Sequence, residues 1–345
     1  MRALLAAFVL LLLSGGAFAQ DQQTDDHAEQ DRRYLERLLQ EQKKAEEQPE
    51  GLTGFDALLA MAEKLVKDQN YDTRSSDHYR IQTDDPNINT RKALALLDGH
   101  HAFFEKFFAG RLELGAQAEV GRVFLFDSFH KYNKLLGTDL SRSDGRPAGH
   151  YLGGSNMCVM HTRSGDGTGL EDTLVHEATH LLVDMRLNPR GAMSPWISEG
   201  LATFFQYVHQ DDEGTFHPSR IGDRSVRIQR ESNYRRGNAR NRLSAFKRAF
   251  RKGDVTVSSV VEAIDPGQFY QLGSAQTPRR YEMGWLLIHY LLFGDGGAHA
   301  GKFLAYFEKE LAGEAIGADL YDAVGMDAEA LGAGLEAHLK GLKAE

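Results

Sequence analysis

Residues 171–205 read EDTLVHEATHLLVDMRLNPRGAMSPWISEGLATFF, and their pattern decides how the chain is organised. His176-Glu177-Ala178-Thr179-His180 forms an H-E-x-x-H pattern, and Glu199 follows after eighteen intervening residues. On a helix, residues four apart lie about 40° apart around the axis, so His176 and His180 project from one face. Two neutral imidazoles so placed hold one Zn²⁺ at about 2.0–2.1 Å and leave Glu177 free as a general base. Leu170, Leu174, Ala178, Leu181, Leu182 and Met185 recur at helical spacing on the opposite side. The helix therefore buries its back and turns both histidines toward a cleft.

A catalytic zinc takes three protein ligands and keeps one position open. Glu199 is the natural third ligand. The first helix should stop near Asn188-Pro189, because proline disfavours helical geometry in the residue before it. Ser194-Pro195 predicts a second helix, with serine as N-cap and proline at the first helical position. In it Ile197, Leu201, Phe204, Phe205 and Val208 form an apolar stripe, and Glu199 lies on the other side. Gly200 permits close approach of another backbone. In a chain of this composition a chance H-E-x-x-H has a probability on the order of a few per cent. A correctly spaced glutamate on its own capped helix makes coincidence rarer still. Asp184, one turn beyond His180, is a candidate partner for that histidine's second nitrogen.

This pattern resembles the gluzincin, or peptidase-MA-like, zinc metallopeptidases. The wording TLVHEATHLL and PWISEGLATFF looks like bacterial members of that group labelled only as domains of unknown function. The resemblance runs from about Asp77 to about Phe293. It implies an α+β fold: a small mixed or antiparallel sheet packed on the motif helix, with a mainly helical C-terminal part closing the cleft, as in thermolysin-like proteins. It also implies metal binding by His176, His180 and Glu199, and water activation by Glu177. Many gluzincins stabilise the developing oxyanion with a tyrosine from the helical part. Tyr281 is the best match for that role, and Tyr290 competes with it. Some place an aspartate four residues after the zinc glutamate; that position is Thr203 here, so such support comes from elsewhere or is absent. The strand before the motif helix should be a sheet edge along which an extended substrate can pair. The Gly-x-Met-Glu-Asn pattern that grips a free amino terminus is missing, which favours an endopeptidase over an aminopeptidase.

The first residues, MRALLAAFVLLLLSGGAFAQ, combine one arginine, a short apolar run and Ala17-Phe18-Ala19. They predict a cleavable signal peptide over 1–19 and a secreted or periplasmic product with no membrane span in the mature chain. A charged tether or exposed helix should occupy 20–50, an α/β part with the zinc-motif helices 51–210, and a mainly helical part 211–345. The net charge of −9 argues against nucleic acid as the main partner. Cys158 is the only cysteine, so no disulfide forms within the chain, and its apolar neighbours Met157, Val159 and Met160 suggest an inert buried thiol.

Helices are predicted over 55–66, 90–108, 128–136 and 281–293, and strands over 78–83 and 122–126. A pair of short strands is predicted over 151–162, after a polar loop over 141–149. His100 and His101 point about 100° apart and cannot form an i,i+4 ligand pair. His150 and His161 flank the strand pair and are expected to be solvated or packed. The basic stretch 220–252 suggests a loop and a helix with Leu243, Phe246 and Phe250 inward, and its alternative is a patch for an anionic polymer. The tail beyond 301 predicts two or three amphipathic helices. The expected function is hydrolysis of peptide bonds by a zinc metallopeptidase acting on peptide or protein substrates. The alternatives are a zinc-binding pseudo-peptidase or substrate-binding protein without hydrolytic activity, and an anionic-polymer-binding protein.

Overall fold

The computed structural model describes residues 54–67, 70–117, 119–137, 148–162, 169–223, 226–230, 239–270 and 276–345. The predicted signal peptide and tether, and most of the loop over 141–149, lie outside these residues. The architecture is α+β, with a small mixed sheet and a helical C-terminal part.

The sheet takes five strands: β1 (Asp72–Ser75), β2 (Tyr79–Thr83), β3 (Gly121–Phe126), β4 (Gly149–Leu152) and β5 (Met157–His161). Their spatial order is β1-β2-β3-β5-β4. The centre is parallel, β2 with β3 and β3 with β5, while β1 and β4 add antiparallel edges. β3 is buried on both faces, which explains its unbroken apolar run VFLF. Its side chains alternate between two cores. Val123 and Leu125, with Cys158 and Met160 of β5, face the larger core. Phe124 and Phe126, with Met157 and Val159, face a smaller one under α1 (Gly54–Val66) and α3 (Phe129–Leu135). The edge that precedes the motif helix is β4 rather than β5, because β5 is sandwiched between β3 and β4.

α2 (Thr90–Phe108) matches its predicted span, begun by Asn89, whose side chain accepts from Lys92 N. Its buried face carries Ala93, Leu96, Leu97, His100, Phe104, Phe107 and Phe108. That stripe meets α4 (Leu170–Leu182) and α5 (Pro195–Tyr207), with Phe104 packing on Phe205 at 5.3 Å and Phe107 on Phe204 at 5.4 Å. The predicted stop of the motif helix has a specific form. α4 widens into a π-helical turn over Val183–Leu187, closed by Asn188 in left-handed geometry (φ 47°).

α5 departs from the expected two-sided helix: it is buried nearly all round. The reason is α9 (Gln276–Phe293), which begins five residues earlier than the predicted 281 and packs against it backbone to backbone. A Cβ on Gly284 would stand 2.6 Å from the Trp196 carbonyl oxygen, and one on Gly200 would stand 2.7 Å from the Gly284 carbonyl carbon. Ser194 occupies the N-cap position, yet its hydroxyl donates to the fully buried Glu310 of α10 (Ala300–Ala312) instead of capping the helix.

A hairpin unforeseen from sequence, β6 (Val208–Gln210) and β7 (Phe216–Ile221), follows α5. Next come α6 (Ala239–Lys252), the short α7 (Ser258–Val261) and α8 (Pro266–Tyr270), and after α10 the helices α11 (Asp319–Val324) and α12 (Ala328–Gly341). α6 turns Leu243, Phe246 and Ala249 inward. Of its cations, Arg242 pairs with Asp172 at 2.8 Å and Lys247 donates to the Leu342 carbonyl at 2.7 Å, so part of the basic stretch is spent internally. No helix among the described residues is long and apolar enough to cross a membrane.

Overpacking a close helix crossing costs about 1–3 kcal/mol. Gly284→Ala should lower unfolding stability by that amount in urea titration, whereas Gly301→Ala, where a Cβ meets open space, should not.

Candidate metal centre

α4 carries His176 and His180 on one face, and their Nε2 atoms stand 3.3 Å apart. From α5, Glu199 brings Oε2 to 3.2 Å from His176 Nε2 and 3.6 Å from His180 Nε2. These three residues are the one group of histidine, cysteine and carboxylate side chains among the described residues whose ligand atoms converge, all within 4.8 Å of one another. Ligands about 2.0–2.1 Å from a tetrahedral ion are separated by about 3.3–3.4 Å, so the three distances match one face of such a tetrahedron.

The outer nitrogens set the protonation pattern. His176 Nδ1 donates to Gln206 Oε1 at 3.1 Å, and His180 Nδ1 lies 3.3 Å from Ser198 Oγ. With protons on both Nδ1 atoms, two lone pairs and a carboxylate oxygen converge on one point, an arrangement that calls for a cation. The electrostatics agree. Burial acts against charge on His176, but the bond to Glu199 and the charges of Glu177 and Glu199 outweigh it and raise its pKa. Burial also opposes ionisation of Glu199, yet His180 and His176 hold its carboxyl well below the usual carboxylate range. The donor set of two imidazoles and one carboxylate fits zinc at a site with an open position.

Glu177 stands outside this ligand set. It is buried, and its Oε2 accepts from the Tyr151 N–H of β4 at 2.7 Å. That closeness requires glycine at 149, where a Cβ would sit 2.6 Å from Met160 Cγ and 2.9 Å from Glu177 Cγ. Glu177 Oε1 has no hydrogen bond among the described residues. Cys158 lies behind this helix, its thiol donating to the Glu177 carbonyl and pushed up in pKa by burial.

Tyr281, near the start of α9, stacks on the His176 ring with centroids 6.0 Å apart and planes 20° from parallel. Its hydroxyl has no hydrogen-bond partner among the described residues. Burial, Glu199 and Glu177 all push its pKa up, so it stays a neutral donor. Tyr290 is engaged elsewhere, donating to Asp295 at 2.8 Å and lying against Gly334. Sequence reasoning missed Tyr270, whose hydroxyl donates to Glu199 Oε1 at 2.9 Å. It ends a five-residue helix with no periodicity to single it out.

Asp184 does not support His180. The π-helical turn breaks the four-residue phase after Leu182, and Asp184 Oδ2 instead accepts from the Tyr151 hydroxyl and from Gly154 N. Thr203 is buried and its hydroxyl has no partner among the described residues, so the support behind the two histidines falls to Gln206 and Ser198. His100 packs behind α4, its Nε2 3.1 Å from Thr179 Oγ1, while His101 stacks on His78. His150 bonds the Tyr132 hydroxyl, and His161 is buried against Phe129 and Tyr132.

No family model matches this chain, and no curated protein matches it in sequence. What distinguishes the chain is the site itself: two histidines one helical turn apart and a carboxylate from a second helix, close enough together that one ion could sit among them.

Loss of a hydrogen-bond partner behind a metal-binding histidine costs about 10–100-fold in metal affinity. Gln206→Leu should weaken any metal binding here by that factor in chelator competition, while Thr203→Val, at a hydroxyl with no partner among the described residues, should leave it within about twofold.

Proposed function

We propose that this chain is a zinc-dependent metallopeptidase of gluzincin type, and that it cleaves within peptide chains. One observation carries the proposal: beside a three-ligand cluster that leaves a position open stands a carboxylate, Glu177, which is excluded from the ligand set and held by the Tyr151 N–H at 2.7 Å. A zinc ion held by His176, His180 and Glu199 would supply Lewis acidity, polarising a carbonyl and acidifying water.

The chain's own groups account for the remaining chemistry. Glu177 is the proton carrier. The Tyr151 N–H fixes Oε2, so the carboxylate keeps one orientation, and Oε1 remains to take a proton from water and pass it to the leaving amine. Tyr281 presents a protonated hydroxyl, unpaired among the described residues, beside His176, placed to donate to an oxygen that gains negative charge. β4 is an edge of the sheet, next to the helix that carries Glu177, and no described strand covers its outer side. An extended peptide can add along such an edge by backbone hydrogen bonds. The helical C-terminal part contributes Tyr270 and Tyr281 opposite α4, consistent with a cleft between an α/β part and a helical part.

The test is cleavage of a quenched peptide library by wild type and Glu177→Gln, with zinc content measured in both. Loss of general base catalysis costs about 10²–10⁴-fold in rate, so the variant should keep its zinc and lose turnover by that factor. Equal turnover by both proteins would refute Glu177 as the base. Zinc in both without cleavage by either would favour a binding protein built on the same site. Tyr281→Phe should lower kcat by about 10²–10³-fold, as removal of an oxyanion donor does, with KM little changed. An unaltered kcat would take Tyr281 out of the mechanism.

A further inference from the structure

The two oxygens of Glu199 have different surroundings. Oε2 faces both histidines, at 3.2 and 3.6 Å from their Nε2 atoms. Oε1 is taken by the Tyr270 hydroxyl at 2.9 Å. The tyrosine is fixed from several sides. Its carbonyl accepts from the Thr277 hydroxyl of α9, and the Arg280 guanidinium, also on α9, donates to the carbonyls of Phe269 at 2.6 Å and of Gln268. Its ring meets Tyr281 edge-on, with centroids 6.3 Å apart. α8 is therefore bound to α9.

We propose that Tyr270 is a positioning residue that keeps Glu199 a one-oxygen metal ligand. Carboxylates coordinate metals through one oxygen or through both. A two-oxygen grip by Glu199 would fill the position that a catalytic site must leave open. The Tyr270 O–H prevents this by holding Oε1 away from the histidines. The two tyrosines thus divide their work: Tyr270 is committed to the ligand, whereas Tyr281, stacked on His176 with its hydroxyl unpaired among the described residues, faces the substrate side. This role presupposes a metal at His176, His180 and Glu199, and so rests on the function proposed above.

Cobalt(II) in place of zinc makes the coordination number visible. The full-length wild type, Tyr270→Phe and Tyr281→Phe would be loaded with cobalt, their visible absorption recorded and their cobalt affinity measured by chelator competition. Thermal unfolding of each metal-free protein serves as a folding control. Wild type should give the intense bands of four-coordinate cobalt. Tyr270→Phe should give the weaker, higher-energy bands of five-coordinate cobalt and about 10–100-fold lower affinity, while Tyr281→Phe keeps the wild-type spectrum. An unchanged spectrum and affinity in a folded Tyr270→Phe would overturn the proposal, and a loss of peptide turnover alone would place that phenol on the substrate instead. If Tyr270→Phe does not fold, Thr277→Val loosens the tyrosine without removing it; its bands should shift partway, and unshifted bands would count against the proposal. A wild type that binds no cobalt would instead sink the metallopeptidase assignment itself.

Discussion

The contact between α5 and α9 is the constraint on which the site depends. At Gly200 and Gly284 the two helices meet without side chains between them, and neither position has room for a Cβ. Glu199 is the residue before Gly200, and Tyr281 lies three residues before Gly284. One close crossing therefore sets how far the carboxylate reaches toward the histidines and where the phenol ring lies over His176. Buried aromatics brace the crossing on both sides. Trp196 stacks on Tyr306 with centroids 6.4 Å apart, and the α2 phenylalanines pack against Phe204 and Phe205.

Around this frame, electron-rich atoms are concentrated at one point and hydrogen-bond partners are placed behind them. Two imidazole nitrogens and a carboxylate oxygen converge, while Gln206, Ser198 and Tyr270 engage the far side of each ligand. Such outer partners fix ring orientation and tautomer, so the cost of ordering the site falls during folding and would not fall on the binding of an ion. Glu177 receives equivalent treatment from a strand edge, through Tyr151 N. A sheet, a motif helix and a helical C-terminal part thus each supply something the others lack.

Much of this was legible in the sequence because local chemistry dictated it. Helical spacing placed His176 and His180 on one face, Asn188-Pro189 ended the motif helix, and Pro195 opened the next. The span of α2 followed from its apolar period and the Asn89 cap. What was not legible depended on distant partners. Asp184 has suitable spacing for His180, but the π-helical turn after Leu182 sends it to Tyr151. Gln206 reaches His176 only because α5 packs against α4, and Tyr270 reaches Glu199 only because Thr277 and Arg280 tie α8 to α9. β1 and the β6–β7 hairpin are short and largely polar, and no apolar alternation announces them.

The central claim, that this cluster holds one zinc ion, is tested most directly by zinc X-ray absorption on the purified wild-type protein after metal reconstitution. The account predicts one zinc per chain in a shell of nitrogen and oxygen ligands only, with the scattering pattern of two imidazoles. No stoichiometric zinc, or a sulfur ligand in that shell, would contradict it.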